Sequence, residues 1–338
     1  MSGPGGRDVA GVPAAIAMTP ILGARYRLEH LKAIRTAAPG AALIAVTADG
    51  NAEQPLDQVE VVLCGRIAPW ALDWMLARSP RLRWIHSVAA GVEHVLTPAV
   101  RSRGIEVTNA RGVFSRPIAE YVMLMILAVS RRLPELLSLQ VERTWQPLGG
   151  REMRELTVGV VGFGSIGRAV AELAATFGCR VIATRRSPGS GPGGPIPEGI
   201  TVLPAERLAD LLAAADFVVL AAPLTPDTEG LIDADALRQM KPAAWLINVA
   251  RGRLVDERAL VRTLEEGRIG GAVLDTFRDE PLPAGSPLWE LPNVIVTPGV
   301  AWSSAAELDR SVELFCDNLR RFTAGEPLTN VVDPAAGY

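Results

Sequence analysis

From residue 157 onward, short apolar runs alternate with stretches of helical period, the pattern of parallel strands joined by crossover helices. Residues 158–161, 181–184, 217–220, 245–247, 272–274 and 294–296 are the expected strands. Each is apolar almost throughout, as strands covered on both faces must be. Between the first two, Ile166, Val170, Leu173 and Phe177 recur at helical spacing and Gly178 offers a left-handed cap, which completes one strand–helix–strand unit. A weaker alternation lies ahead of it, with strands expected at 42–46, 61–64 and 84–87 and helices at 26–37 and 71–77, a smaller α/β domain. Near the far end Leu308, Val312, Phe315, Leu319 and Phe322 form an amphipathic stripe that stops at Gly325. Such a stripe must pack on something, and the N-terminal domain is the expected partner. A long helix over 116–132 then carries the chain into the second domain. The expected division is 1–112 plus 303–338 for one domain, discontinuous, and 113–302 for the other. Residues 187–198, dense in Gly and Pro, read as a surface loop.

A chain of 338 residues suits two cores of this kind. With 49% hydrophobic residues, 21% charged and a net charge of −3, it is of ordinary globular composition, which gives no electrostatic case for a nucleic-acid partner. Cys64, Cys179 and Cys316 are far apart and form no C-x-x-C pair, so neither a disulfide framework nor a metal site is expected, and a reducing cytoplasm fits. The most apolar run, 121–129, is bounded by Glu120 and Arg131 and falls well short of the roughly 20 residues of a spanning helix. Residues 1–13 lack the pattern of a signal peptide and read as a loose tail, so no membrane partner is expected.

Gly162-Phe163-Gly164-Ser165-Ile166-Gly167 matches G-x-G-x-x-G, and its context matters more than the match. It follows an apolar strand and opens an amphipathic helix. There glycines permit a tight turn, close approach of a pyrophosphate and close helix packing, while the helix N-terminus presents free N–H groups to phosphate. This is a Rossmann unit. At the end of the next strand, where an acidic residue would accept from the ribose hydroxyls of NAD, the chain has Arg185-Arg186-Ser187. A guanidinium cannot accept that hydrogen bond but can hold a 2′-phosphate, so NADP(H) is expected ahead of NAD(H).

In such a sheet ligands sit at the carboxyl ends of the strands. Those ends carry Asn248-Val249-Ala250-Arg251-Gly252, Asp275 through Glu280-Pro281, and Thr297-Pro298-Gly299. With Gly162 to Gly167, Met240-Lys241-Pro242 and Ala221-Ala222-Pro223-Leu224, they resemble the D-isomer-specific 2-hydroxyacid dehydrogenase family over nearly the whole chain. The resemblance implies an oxidoreductase whose Rossmann domain is inserted in a smaller, flavodoxin-like α/β domain, and a homodimer paired through the exposed part of helix 116–132. It implies that Arg251 grips a small-molecule carboxylate and polarises the neighbouring carbonyl oxygen, a task suited to its fixed, permanently charged fork. Ala89, Ala90 and Gly91 resemble the family's backbone clamp on the same carboxylate. Asp275 resembles the acceptor for the nicotinamide carboxamide, and Glu280 the carboxylate that orients a catalytic histidine. Ala222, Pro223, Thr228, Val249 and Ala250 resemble cofactor-facing positions.

The histidine itself is absent: Gly299 stands where it would follow Thr297-Pro298. A missing proton donor removes a step worth roughly 10²–10⁴ in rate. Of the three histidines present, His30 is expected to face solvent, while His86 and His94 flank the clamp loop. Three readings follow. The proton comes from a buried Glu280, from His86 or His94, or from water beside Gly299; or the substrate is something other than an ordinary 2-oxo acid; or the chain binds NADP(H) without catalysis.

Overall fold

The computed structural model describes residues 11–21, 26–65, 67–186 and 195–334. The tail over 1–13 for the most part, the loop over 187–198 in large part and Ser187 wholly lie outside these described residues. The chain divides into two compact units, Met1–Val113 with Ser304–Tyr338, and Phe114–Ser303.

The first unit opens with β1 (Ala15–Met18), α1 (Leu28–Ala37), β2 (Ala42–Ala45), β3 (Val59–Cys64), α2 (Pro69–Arg78), β4 (Trp84–Ser87), α3 (Pro98–Ser102) and β5 (Glu106–Thr108). The strands form a parallel sheet in the order β2-β1-β3-β4-β5, the flavodoxin-like order. The second unit runs through α4 (Ser115–Ser130), α5 (Leu133–Val141), β6 (Thr157–Val161), α6 (Ser165–Thr176), β7 (Arg180–Arg185), β8 (Ile200–Pro204), α7 (Leu208–Ala214) and β9 (Phe217–Leu220). It continues with α8 (Ala234–Gln239), β10 (Trp245–Asn248), α9 (Glu257–Glu265), β11 (Gly271–Leu274) and β12 (Val294–Val296). Its parallel sheet of seven strands is ordered β12-β11-β10-β9-β6-β7-β8. The chain moves outward from β6 to β8 and then restarts at β9 on the other side of β6. This leaves a crevice between the carboxyl ends of β6 and β9, where such sheets bind ligands.

The last helix, α10 (Glu307–Ala324), belongs to the first unit. It buries Val312, Phe315, Cys316, Leu319 and Phe322 against Ile16, Ile34, Leu63 and Trp84, and ends at Gly325, whose φ of 70° is the left-handed cap. Trp84 stacks on both Phe315 and Phe322, and its indole N–H donates to Thr108 Oγ1 at 2.8 Å. After α10 the chain runs back to β5, where Val331 bridges Thr108 antiparallel. In the second unit α4 lays Ile118, Val122 and Ile126 against Val170, Ala171 and Ala174 of α6, whose small side chains let two helices approach closely.

Several expectations need correction. Helix 116–132 stops at Ser130, because Arg132 is left-handed (φ 56°) and Pro134 opens a separate helix, α5. Phe177 is not on the buried stripe of α6; it caps the helix and is exposed. Three strands were not expected. β1 has a single β-branched residue, Ile16, among two alanines and a methionine, β5 is three residues long, and β8 is an edge strand behind a Gly/Pro stretch.

Two of the three histidines of the first unit are buried. His30 is buried on α1, not solvent-facing: its Nδ1 accepts from Arg27 N–H at 3.1 Å and its Nε2 lies 2.6 Å from Asp309 Oδ1 on α10. His86 is fully buried on β4 beside Trp84 and Phe315. The Thr108 hydroxyl, which accepts from Trp84, also lies 2.8 Å from His86 Nδ1, while His86 Nε2 is buried without a partner. Burial pushes the His86 pKa down from 6.5 to about 3. His86 is therefore held neutral by the fold and is not a proton donor near neutrality. Between those two values the unfolded chain carries a proton that the folded chain refuses, so stability falls as pH falls through that window, by up to a few kcal/mol. Urea midpoints of the wild type should drop more steeply between pH 6.5 and 4 than those of His86→Gln, and parallel slopes would refute the assignment.

Candidate functional site

The nucleotide turn is closed on the sheet side and open on the other. Gly162 (φ 100°) has Ala222 N and Cα 2.7 Å from where a Cβ would lie, and a Cβ at Gly167 would meet Gly162 O at 1.9 Å. Any side chain at either position would force β6, α6 and the loop after β9 apart. At Gly164 an added Cβ meets nothing within 4 Å. A phosphate group can thus reach the backbone at Gly164 and the first turn of α6, where Ser165 and Ile166 are half-buried. Across the crevice Ala222 is buried, and the Thr228 hydroxyl folds back, donating to Pro223 O at 2.7 Å and accepting from Thr225 N–H at 2.8 Å. That hydroxyl shapes the loop.

At the end of β7 Arg185 is half-buried and its Nη2 is enclosed with no hydrogen-bond partner, whereas Arg186 is exposed. An enclosed, unpaired guanidinium nitrogen costs free energy unless an acceptor reaches it. The open face at Gly164 fits the pyrophosphate of a dinucleotide, with Arg185 at the adjoining strand end.

The ends of β10, β11 and β12 are tied to one another by backbone contacts. Asn248, buried at the last position of β10, accepts from Ala250 N–H at 3.1 Å and donates from Nδ2 to Arg251 O at 2.9 Å. Val249 and Ala250 are buried beneath, and Arg251 is half-buried, its Nη1 donating to Ala250 O at 2.8 Å. The next residue, Gly252, lies so close to the chain after β11 that a Cβ would sit 1.9 Å from Phe277 C and 2.0 Å from Phe277 O. Asn248 and Gly252 were not singled out as site residues from sequence, yet they fix the backbone on either side of Arg251. The signal available was their immediate adjacency to it.

Asp275 is buried at the end of β11, and its carboxylate is already engaged. Oδ1 accepts from Thr297 Oγ1 (2.6 Å) and Val300 N–H (2.9 Å), and Oδ2 accepts from Ala301 N–H (2.9 Å). Tyr121 on α4 reaches Thr297 Oγ1 at 2.6 Å; since the threonine proton goes to Asp275, the phenol is the donor. Burial pushes the Tyr121 pKa up to about 12, with the Asp275 charge adding to the rise. Gly299 sits in the turn wrapped around Asp275, at φ 66°, and an added Cβ there would meet only Asp275 O at 3.7 Å. Neighbouring Thr276 has a buried hydroxyl with no partner. Glu280 is exposed and its Oε1 accepts from Phe277 N–H at 3.0 Å, which overturns the expectation of a buried carboxyl.

In the first unit the loop after β4 is held by its carbonyls. Ala89 O accepts from Ala110 N–H at 3.1 Å and Ala90 O from Asn109 Nδ2 at 2.9 Å. In a trans peptide the N–H points opposite to the carbonyl, so the Ala90 and Gly91 N–H groups face away from these anchors. The Ala89 N–H is directed at Ser87 Oγ (3.2 Å) instead. Buried Asn109 is thus a further positioning residue that the sequence did not flag. His94 in the following segment is half-buried.

The fold and the nucleotide turn define a dinucleotide-binding α/β protein of the Rossmann class. The family profile described as D-isomer specific 2-hydroxyacid dehydrogenase, NAD binding domain, matches residues 123–301. A D-3-phosphoglycerate dehydrogenase of Mycobacterium tuberculosis is 38% identical over 265 residues, covering 78% of this chain; the chain spans only 49% of that protein's length. Among solved structures, a D-isomer specific 2-hydroxyacid dehydrogenase from Xanthobacter autotrophicus Py2, in complex with NADPH and MES, is 33% identical with a TM-score of 0.84, covering 96% of this chain and 100% of that one. An NADPH-dependent glyoxylate/hydroxypyruvate reductase from Sinorhizobium meliloti, in complex with NADP and sulfate, is 30% identical with a TM-score of 0.82 and the same coverage of 96% and 100%. The chain belongs to the D-isomer-specific 2-hydroxyacid dehydrogenase family.

Proposed function

We propose that the protein is an NADPH-dependent oxidoreductase that reduces the carbon next to the carboxylate of a small 2-oxo acid or a related compound. The observation that carries this reading is Arg251, its backbone fixed between the Asn248 side chain and the Gly252 contact at the carboxyl end of β10. A guanidinium so placed holds a carboxylate by paired, charge-assisted hydrogen bonds and stabilises negative charge developing on an adjacent oxygen. The nicotinamide, when bound, supplies the hydride. Gly162, Gly164, Ser165, Ile166 and Gly167 would receive the pyrophosphate, with Ala222, Pro223, Thr228, Val249 and Ala250 lining the cofactor. Asp275 retains acceptor capacity on Oδ2 for a carboxamide beside its bond from Ala301. Glu280, bonded to Phe277 N–H, holds its own loop, and no side chain at position 299 supplies a proton. The N–H groups of Ala90 and Gly91 are proposed as a carboxylate clamp on the resemblance and on their orientation.

The preference for NADP(H) over NAD(H) is supported by the guanidinium of half-buried Arg185 at the end of β7, a group that can hold a 2′-phosphate; Arg186 and Ser187 are included on sequence position alone. A homodimer is proposed as well, through α5 rather than the helix before it. None of the α5 residues is buried, Leu133, Leu136, Leu137 and Val141 are exposed, and Trp145 just beyond is 100% exposed. The three cysteines are free and buried, which suits a reducing cytoplasm. Among the described residues no helix is long and apolar enough to cross a membrane.

A second reading, a non-catalytic NADP(H)-binding protein, is favoured by Gly299. The two separate on one experiment with two variants. Arg251→Ala should abolish NADPH consumption with small 2-oxo or related carboxylates while leaving NADPH affinity within about threefold. Arg185→Asp should erase a preference for NADPH over NADH of about tenfold or more without abolishing binding. A protein that binds NADPH and oxidises it with no such carboxylate is the non-catalytic one. For the dimer, Leu137→Glu combined with Trp145→Ser should yield monomers by sedimentation, and an unchanged oligomeric state would exclude α5 as the interface.

A further inference from the structure

The turn that carries Gly299 retains its architecture and has no acid. Of the groups gathered around it, the Asp275 carboxylate accepts three hydrogen bonds, Thr297 donates its proton to that carboxylate, and Tyr121 donates its own to Thr297. Both hydroxyl protons are therefore engaged, one on Asp275 and the other on Thr297, and the phenol is held back further by burial. Thr276 offers a hydroxyl with no partner, which can donate a hydrogen bond but is no acid near neutrality. Glu280 is exposed and turned to Phe277 N–H, His86 is locked neutral in the first unit's core, and His94 belongs to the first unit and not to the unit that carries this turn. The position that would bear a side-chain acid is open space instead, with nothing nearer than 3.7 Å to an added Cβ.

Reduction of a carbonyl needs such an acid, because hydride addition leaves an alkoxide that must be protonated as it forms. An iminium does not. It arrives with its proton already on nitrogen; hydride adds to carbon, the C=N π pair becomes the nitrogen lone pair, and a neutral amine leaves with no proton transferred in the step. The carboxylate that Arg251 would grip is the same in either compound. We propose that the substrate class of this site is the 2-imino acid in its iminium form, reduced to a 2-amino acid, with Gly299 leaving room for the substituted nitrogen. This rests on the reductase reading above. The reaction that supplies the substrate is then condensation of an amine with a 2-oxo acid, which releases water, or two-electron oxidation of an amino acid by another catalyst.

The test offers NADPH with pyruvate or glyoxylate alone, and with the same acids plus ammonium or methylamine at mildly alkaline pH. Consumption should rise about tenfold or more with the amine, with alanine, glycine or their N-methyl forms identified by mass spectrometry. Gly299→His should cut that ratio about tenfold or more by raising the rate on the oxo acid alone; the space is open, and the strain of a side chain at φ 66° is smaller for histidine than for most residues. A readout that needs no turnover is thermal stabilisation of the NADP-loaded wild type, which N-methylalanine should increase more than lactate does. If Gly299→His does not fold, the wild-type ratio and the thermal shifts decide alone. Equal rates with and without amine would overturn the imine assignment and leave the reductase reading intact. NADPH binding with no consumption under either condition would overturn both.

Discussion

The ligand-facing end of the second unit depends on one buried carboxylate. Asp275 ends β11, and the chain beyond β12 folds around it, giving it a hydroxyl and two backbone N–H groups. Charge-assisted bonds of this kind are worth about 1.5–3 kcal/mol each, and the two amide donors would be left unsatisfied without it. Through Thr297 the same carboxylate also holds Tyr121, so that α4, β11 and the turn at Gly299 form one hydrogen-bonded assembly. β12 is only three residues long and pairs with β11 alone, so its own ladder could not place that turn.

The neighbouring contact is of a different kind. Gly252 touches the backbone at Phe277 and Arg278 with no space for a methyl group, so the loop bearing Arg251 and the loop bearing Glu280 are set against each other by close packing. Asn248 fixes the same loop from the strand side. Arg251 is thus held by backbone contacts on either side of it, and its guanidinium adds a bond of its own to Ala250 O at 2.8 Å.

Much of this was legible in the sequence, for identifiable reasons. Strands buried on both faces, such as Phe217–Leu220, show as short apolar runs, and the glycine turn shows because its steric demands leave only glycine at Gly162 and Gly167. Weakly marked strands were missed. β1 has the sequence AIAM, and its assignment rests on pairing with both β2 and β3, a tertiary fact. The histidines failed for a related reason. His30 follows Glu29 in a polar-looking helix, and its burial comes from Asp309, 279 residues away. Glu280 was read as a partner for an imidazole, but with glycine at 299 it bonds locally, and its exposure could not be inferred from spacing. Asn109 holds the loop after β4 through Ala90, a relation between two strand ends that no local pattern encodes.

The retained and missing parts of the site are distributed in a way that bears on its chemistry. The Asn248 turn, the Gly252 contact and the Asp275 clamp together position the backbone at this end of the sheet. At φ 66° the turn takes the left-handed conformation that glycine adopts without strain, so Gly299 serves the backbone as well as leaving open space, with only Asp275 O at 3.7 Å from an added Cβ. The carboxylate anchor proposed at Arg251, together with a Gly299 turn that bears no acid, suits a substrate that brings its own proton.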